Sequence, residues 1–275
     1  MNGVNYEPLL RDMTWSFSRL NSYGSCAYAW YNHYLMEEPE EEQFYASFGS
    51  FCHELIARYY KCELPSNELI SEFLQGYCNR VLGLRPSQEI EWKYLEQGSA
   101  YFENFKPFPL RTELVEEQIF LTLKNDRFQD GIKFTGIIDY LGKDGGGNLV
   151  IVDHKSADLK PYSKRYPAKP TQSDIKLDET LRQLYLYSEW VKEKYGTYPT
   201  ELWLNCFRTG TIIKVGFDAQ KCAEAVDWAL RRVEEICKDD MFLPTDDFYY
   251  CKWICGQHNN CELYEEEYGS GRRRH

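Results

Sequence analysis

The spacing of apolar residues changes character near residue 107. Upstream, hydrophobic positions recur every three or four residues, the period of an amphipathic helix. Over 44–61, Phe48, Phe51, Cys52, Leu55, Ile56 and Tyr59 fall on one stripe. Residues 14–35 follow a Ser/Thr cap and read as helix, and 66–84 and 88–105 as further helices. Pro107 and Pro109 end the pattern. Downstream the period is two. Residues 113–123 alternate, and 132–141 and 148–155 flank the turn Asp144-Gly145-Gly146-Gly147. The Pro- and Lys-rich stretch 156–177 predicts a loop, and 178–195 a helix. A hairpin about Arg208-Thr209-Gly210 joins "ELWLNCF" to "TIIKVGF". An amphipathic helix over 218–238 runs through Cys222, Ala225, Val226, Ala229, Leu230, Val233 and Ile236. After Pro244 the chain is irregular and cysteine-rich, and no repeat is visible. The order implies an α/β layer preceded by a helical section.

Composition narrows the picture. At 275 residues the chain can bury a substantial core. Its 22 tyrosines and 7 tryptophans exceed what a minimal core needs and suit interfaces or base stacking. A net charge of −11 argues against coating nucleic acid along the whole surface, but a cleft can focus a field of its own. The opening "MNGVNYEPLLRDMTW" has no apolar signal region, and no run approaches a membrane span, so the chain reads as cytoplasmic with reduced thiols.

The strand pair "GIIDYLGKDGGGNLVIVDHK" carries charges that buried strands ordinarily avoid. Residues two apart on a strand share a face, so Asp153 and Lys155 point the same way. A hairpin brings Asp139 beside Asp153. Two carboxylates that close repel unless a cation lies between them, and a hard ion such as Mg²⁺ or Mn²⁺ suits oxygen ligands. Lys155 would then orient or deprotonate a water and offset charge on a phosphate. Glu117 falls in the row of Val115, Ile119, Leu121 and Leu123, where an acid needs a partner; Glu116, on the other face, reads as solvated. Strand-end charges in water are the plainer reading of any one acid.

His53 lies off the apolar stripe of its helix, in a strip with Ala46, Gly49, Ser50 and Ala57. Small residues there permit close approach, so His53 faces protein or ligand; an imidazole in the shell would favour Mn²⁺. The segment 155–176 holds six basic residues against two acidic ones, and reads either as a solvated loop or as a guide for a nucleic-acid strand.

These residues resemble the PD-(D/E)xK nuclease superfamily, in its RecB-like branch with the AddB-type and CRISPR-associated exonucleases. "GIID" supplies Asp139 and "VDHK" supplies Asp153 and Lys155; "FGSFCHELI" places His53 on an upstream helix; "RQLYLY" gives the Q-x-x-x-Y pair Gln183 and Tyr187. The resemblance spans about residues 14–261. It implies a restriction-endonuclease-like mixed sheet flanked by helices, in one integrated domain: a helical section over 1–110, a nuclease core over 111–240 and a tail over 241–275. It implies metal ligation by His53, Asp139, Asp153 and Glu117, catalysis by Lys155, and a role for Gln183 and Tyr187 at the DNA backbone or in ordering the site. The activity implied is exonucleolytic, on single-stranded DNA ends. A non-catalytic or accessory subunit of a DNA-processing, recombination or CRISPR-adaptation complex, binding a protein partner, is the alternative.

The tail "CKWICGQHNNCELY" groups Cys251, Cys255 and Cys261. Members of the branch with an iron–sulfur centre resemble this, with Cys26 of "SYGSCAYAWY" as the upstream fourth ligand of a 4Fe–4S cluster. Such a cluster would pin the N-terminal helix to the tail. Zinc, with His258 as fourth ligand, and unpaired thiols are the competing readings. Cys52, Cys62, Cys78, Cys206, Cys222 and Cys237 read as core residues.

Overall fold

The computed structural model describes residues 6–126 and 128–264. Its helical section comprises α1 (Glu7–Asp12), α2 (Phe17–Ser25), α3 (Ala27–Tyr34), α4 (Phe44–Tyr60), α5 (Leu69–Arg80) and α6 (Gln88–Glu103). The single helix expected over 14–35 is two. Cys26 adopts extended backbone (φ −159°, ψ 110°), ends α2 and caps α3, its sulfur accepting the Ala29 N–H at 3.4 Å. Ahead of α2, Trp15–Ser16 forms a short strand, β1, that the helical periodicity concealed.

The sheet continues with β2 (Arg111–Leu123), β3 (Ile132–Lys143), β4 (Leu149–Lys155), β5 (Glu201–Cys206) and β6 (Thr211–Gly216). Helix α7 (Gln172–Tyr195) crosses between β4 and β5, and α8 (Ala219–Lys238) follows β6. Helix α7 starts six residues earlier than the apolar period suggested, because Thr171 and Asp174 form a reciprocal capping box. Short helices α9 (Phe248–Trp253) and α10 (Glu262–Tyr264) lie in the tail. The strand order is β1-β3-β4-β5-β6 with β2 also on β3; β4–β5 and β1–β3 are parallel and the other pairs antiparallel.

Strand β4 is buried along six of its seven residues. Leu149 and Ile151 join the core beneath α7 and α8, with Ile119, Leu121, Leu184 and Leu230. Val150 and Val152 face the other way, against Phe108, Tyr140 and Trp203. The helical section has an aromatic core of its own around Phe44, Phe48, Phe51, Phe73 and Phe102. Gly98 of α6 admits the Phe73 ring; a Cβ there would lie 2.3 Å from it. Of the six cysteines expected in the core, Cys52, Cys206 and Cys222 are buried, whereas Cys62, Cys78 and Cys237 are exposed. Burial favours cysteine but does not require it. Among the described residues no helix is long and apolar enough to cross a membrane.

Candidate active site

The site forms where β3 changes partner. Along one edge β3 pairs with β2 from residue 132 to 143. Its other edge pairs with β4 only from Tyr140 to Lys143, and with β1 at Phe134 and Thr135. Residues 136–139 are left without a strand on that edge. The Asp139 carboxylate fills the first place: its Oδ2 accepts the His154 N–H at 2.7 Å, a side chain standing in for a ladder bond. Tyr187 of α7 fills the rest. Its ring lies against Gly136, where a Cβ would come within 2.4 Å, and the Ile137 backbone hydrogen-bonds its hydroxyl.

The two strands beside this fork break their alternation together. On β2, Val115 packs with Phe108 and Tyr140, whereas Ile119 packs beneath α7. Between them Glu116 takes a positive φ of 52°. Strain of that kind in a non-glycine residue is concentrated at functional sites. It turns the Glu116 carboxylate into the cleft. Glu117, expected there, keeps to the face covered by α7, with its carboxylate 3.7 Å from the Lys194 ammonium and 44% exposed. The structure therefore corrects the sequence reading at both positions: Glu116 is half-buried in the cleft and Glu117 lies outside it.

Ligand atoms of His53, Glu116 and Asp139 all lie within 4.8 Å of one another. His53 reaches the site from α4, its Nδ1 3.4 Å from Asp139 Oδ2. Ala46, Gly49, Ser50 and Ala57 line the same cleft, as their small size suggested. Asp153 and Lys155 enter from β4, with Lys155 Nζ 2.8 Å from Asp153 Oδ2. That oxygen is buried and accepts no hydrogen bond, so its contact with the ammonium is ionic only. Lys155 also donates to Gln183 Oε1 at 2.9 Å, and Gln183 Nε2 donates to the Tyr187 hydroxyl at 3.0 Å. One polar chain thus runs from Asp153 through Lys155 and Gln183 to Tyr187.

Electrostatics follow from burial. Asp139 is pushed up to about 8, by desolvation first and then by Asp153, with the His154 N–H and Lys155 working the other way. Glu116 is raised by burial and by Asp139. Desolvation lowers His53 in spite of Asp153. A positive charge placed beside Asp139 would favour its ionised form.

Sequence reasoning also passed over His154. It lies on the opposite face of β4, fully buried, and desolvation holds it neutral, well below the ordinary imidazole range. The Asn205 amide stands 3.1 Å from its Nδ1 and donates to Tyr101 OH at 2.8 Å. This network ties β4 and β5 to α6 behind the cleft. Parity along "VDHK" was the available signal, since the residue between two outward acids and bases must point inward.

The cysteines come together as well. Cys26, Cys251, Cys255 and Cys261 line one cavity, with Tyr28, Gln257 and His258. Burial first, then the neighbouring thiols Cys26, Cys251 and Cys261, push Cys255 up to about 12 against the Gln257 N–H that its sulfur accepts. Tail and helical section are bound to each other around this cavity. Asn32 Nδ2 donates to Asn260 O at 2.9 Å, and Glu41 N to Gly256 O at 2.8 Å.

A solved structure shares the fold. A crystal structure from Eubacterium rectale, named "Putative exonuclease", matches with a TM-score of 0.50 and 13% identity, over 97% of this chain and 91% of that one. SSO0001 matches with a TM-score of 0.32 and 13% identity, over 90% and 95%. No curated protein matches the sequence. The family model of the PD-(D/E)XK nucleases matches residues 14–262, a span that holds the fork, its helices and all four clustered cysteines. The chain belongs to the PD-(D/E)XK nuclease superfamily.

Proposed function

We propose that this protein is a divalent-metal-dependent DNA exonuclease acting on single-stranded ends. The observation that carries the reading is the convergence of His53, Glu116 and Asp139, whose ligand atoms lie within 4.8 Å of one another, beside the buried Asp153. A hard ion of the Mg²⁺ or Mn²⁺ type fits this donor set. Asp139, Asp153, Glu116 and His53 would hold it. When bound it supplies Lewis-acid activation of a phosphodiester and of water.

The chain's own residues supply the remainder. Lys155, fixed by Asp153 and Gln183, offers its ammonium to the charge that develops on the phosphate. Gln183 and Tyr187 set the direction of that ammonium and act as positioning residues. Exonucleolytic action is carried over from the name of the Eubacterium rectale protein, and the single-stranded preference from the RecB-like branch. The test is hydrolysis of an end-labelled oligonucleotide with Mn²⁺ and with EDTA. Wild type degrades it from an end only with the metal, while Asp153→Ala and Lys155→Ala stay folded and lose at least about 10³ in rate. Undiminished cleavage by both variants would refute the assignment.

The cysteine cavity supports a second component, a 4Fe–4S cluster held by Cys26, Cys251, Cys255 and Cys261. Among the described residues no three of these thiols bring their sulfurs within 4.8 Å of one another. Tetrahedral zinc would need sulfurs about 3.8 Å apart. Four cysteines on one cavity, with backbone N–H groups already directed at the sulfurs of Cys26 and Cys255, are the donor set of such a cluster. Anaerobically purified protein should be brown, with absorption near 400 nm that is absent from Cys255→Ser.

A further inference from the structure

The stretch between β4 and α7 leaves the site immediately after Lys155. It carries Lys160, Lys164, Arg165, Lys169 and, in the first turns of α7, Lys176. All five are exposed, and among the described residues none takes part in an ion pair. What sets them apart is their grouping: five cations within seventeen residues, next to Lys155, on a chain of net charge −11.

The segment is also held from within. Asp174, 1% exposed, accepts four hydrogen bonds: Ser163 N at 2.6 Å, Ser163 Oγ at 2.8 Å, Thr171 N at 2.7 Å and Thr171 Oγ1 at 2.7 Å. Tyr162 and Tyr166 stack at 4.0 Å, and both hydrogen-bond to Asp178 beside Lys221 of α8. Of the segment's two acids, Asp174 is thus spent inward and Asp158 is exposed, leaving the five cations in excess on an anchored frame. Preorganisation of this kind reduces the ordering cost of binding.

The frame is aligned with the active site. On α7, Lys176, Thr180, Gln183 and Tyr187 follow the i, i+4, i+7, i+11 spacing of one helix face. At 1.5 Å per residue, Lys176 stands about 10 Å from Gln183 along the helix, a reach of one or two nucleotides.

We propose that the 156–177 segment and the first turns of α7 form a phosphate-binding platform. It seats the backbone of a nucleic-acid strand beside the scissile position, without reading its bases. The proposal builds on the nuclease reading of the cleft, but its test separates the two. Binding of fluorescent oligo(dT) is measured in EDTA across a salt series, with Asp153→Ala as the parent so that no cleavage occurs. Adding Lys164→Gln, Arg165→Gln and Lys169→Gln should weaken binding at least tenfold at low salt. It should also make the log–log salt slope shallower by about 2, since each lost single-strand contact is worth about 0.7. A control of equal charge, Lys192→Gln with Lys194→Gln and Lys214→Gln, should leave both unchanged. In the catalytically intact background, the platform variant should still hydrolyse a mononucleotide p-nitrophenyl ester at the wild-type rate. Equal loss in the control, an unchanged slope in the platform variant, or a parent that binds no oligonucleotide overturns the platform. Binding that behaves as described in a protein that hydrolyses nothing would leave the platform standing and remove the nuclease reading.

Discussion

The cleft at the fork and the cysteine cavity both gather donors of one chemical type, but they are assembled in opposite ways. The cleft takes oxygen and imidazole donors from β2, β3, β4 and α4, and sheet register sets their separation. The cavity takes sulfur from Cys26, between α2 and α3, and from Cys251, Cys255 and Cys261 of the tail, far apart in sequence and off the sheet. A site built on strands survives the loss of its ion, because the core beneath it is independent. A site built across segments far apart in sequence is itself part of what holds those segments. The same event, removal of a metal, should therefore silence one region and loosen the other.

The largest consequence falls on chemistry. Lys155→Ala should cost at least about 10³ in turnover with no change in melting temperature, read by cleavage assay and calorimetry. Cys255→Ser should show the reverse: lost absorption near 400 nm and a melting temperature lower by about 5 °C, with residual activity at low temperature. A variant that melts normally would detach the cavity from stability. Next comes the pair of neighbouring glutamates. Glu116→Gln should weaken Mn²⁺ binding by roughly 10–100-fold, whereas Glu117→Gln should change it less than about twofold; calorimetric titration separates them.

Proton linkage gives a smaller, graded effect. Asp139 in the metal-free protein is raised to about 8, so it is mostly protonated at neutral pH. Its contribution to stability is fullest below the ordinary carboxylate range and declines as pH rises toward 8. An ion needs the carboxylate and displaces that proton. Apparent Mn²⁺ affinity should thus rise about tenfold between pH 6 and 7 and level above about 8. A flat profile would show that Asp139 is not displaced. The smallest effect is expected from Tyr187→Phe, which keeps the ring against Gly136 but removes the hydroxyl that Gln183 donates to. A fall in kcat of about three- to tenfold with KM unchanged would mark a positioning role.

Much of this was legible in the chain. Alternation placed Asp153 and Lys155 on one face, and the helical period placed Gln183 and Tyr187 one turn apart; the structure joins all four in one hydrogen-bonded and ionic chain. The small-residue strip correctly turned His53 toward a cleft. Glu116 was illegible for a physical reason. Strict alternation assumes an unbroken strand, and a positive φ at a glutamate leaves no mark in composition, as a glycine would. The break at Cys26 was hidden likewise, because a cysteine is an uncommon helix cap and apolar period alone carries through it. Convergence of Cys26 with the tail is a long-range contact that spacing cannot reveal and that only the resemblance suggested.

Electron paramagnetic resonance of Mn²⁺ offers the most direct trial of the shared cation at the fork. Titrated at pH 8, the wild-type protein should take up Mn²⁺ at one site formed by Asp139 and its neighbours, and Asp139→Asn should abolish that signal while remaining folded. Equal uptake by both proteins would mean that the acids at the fork hold no ion together.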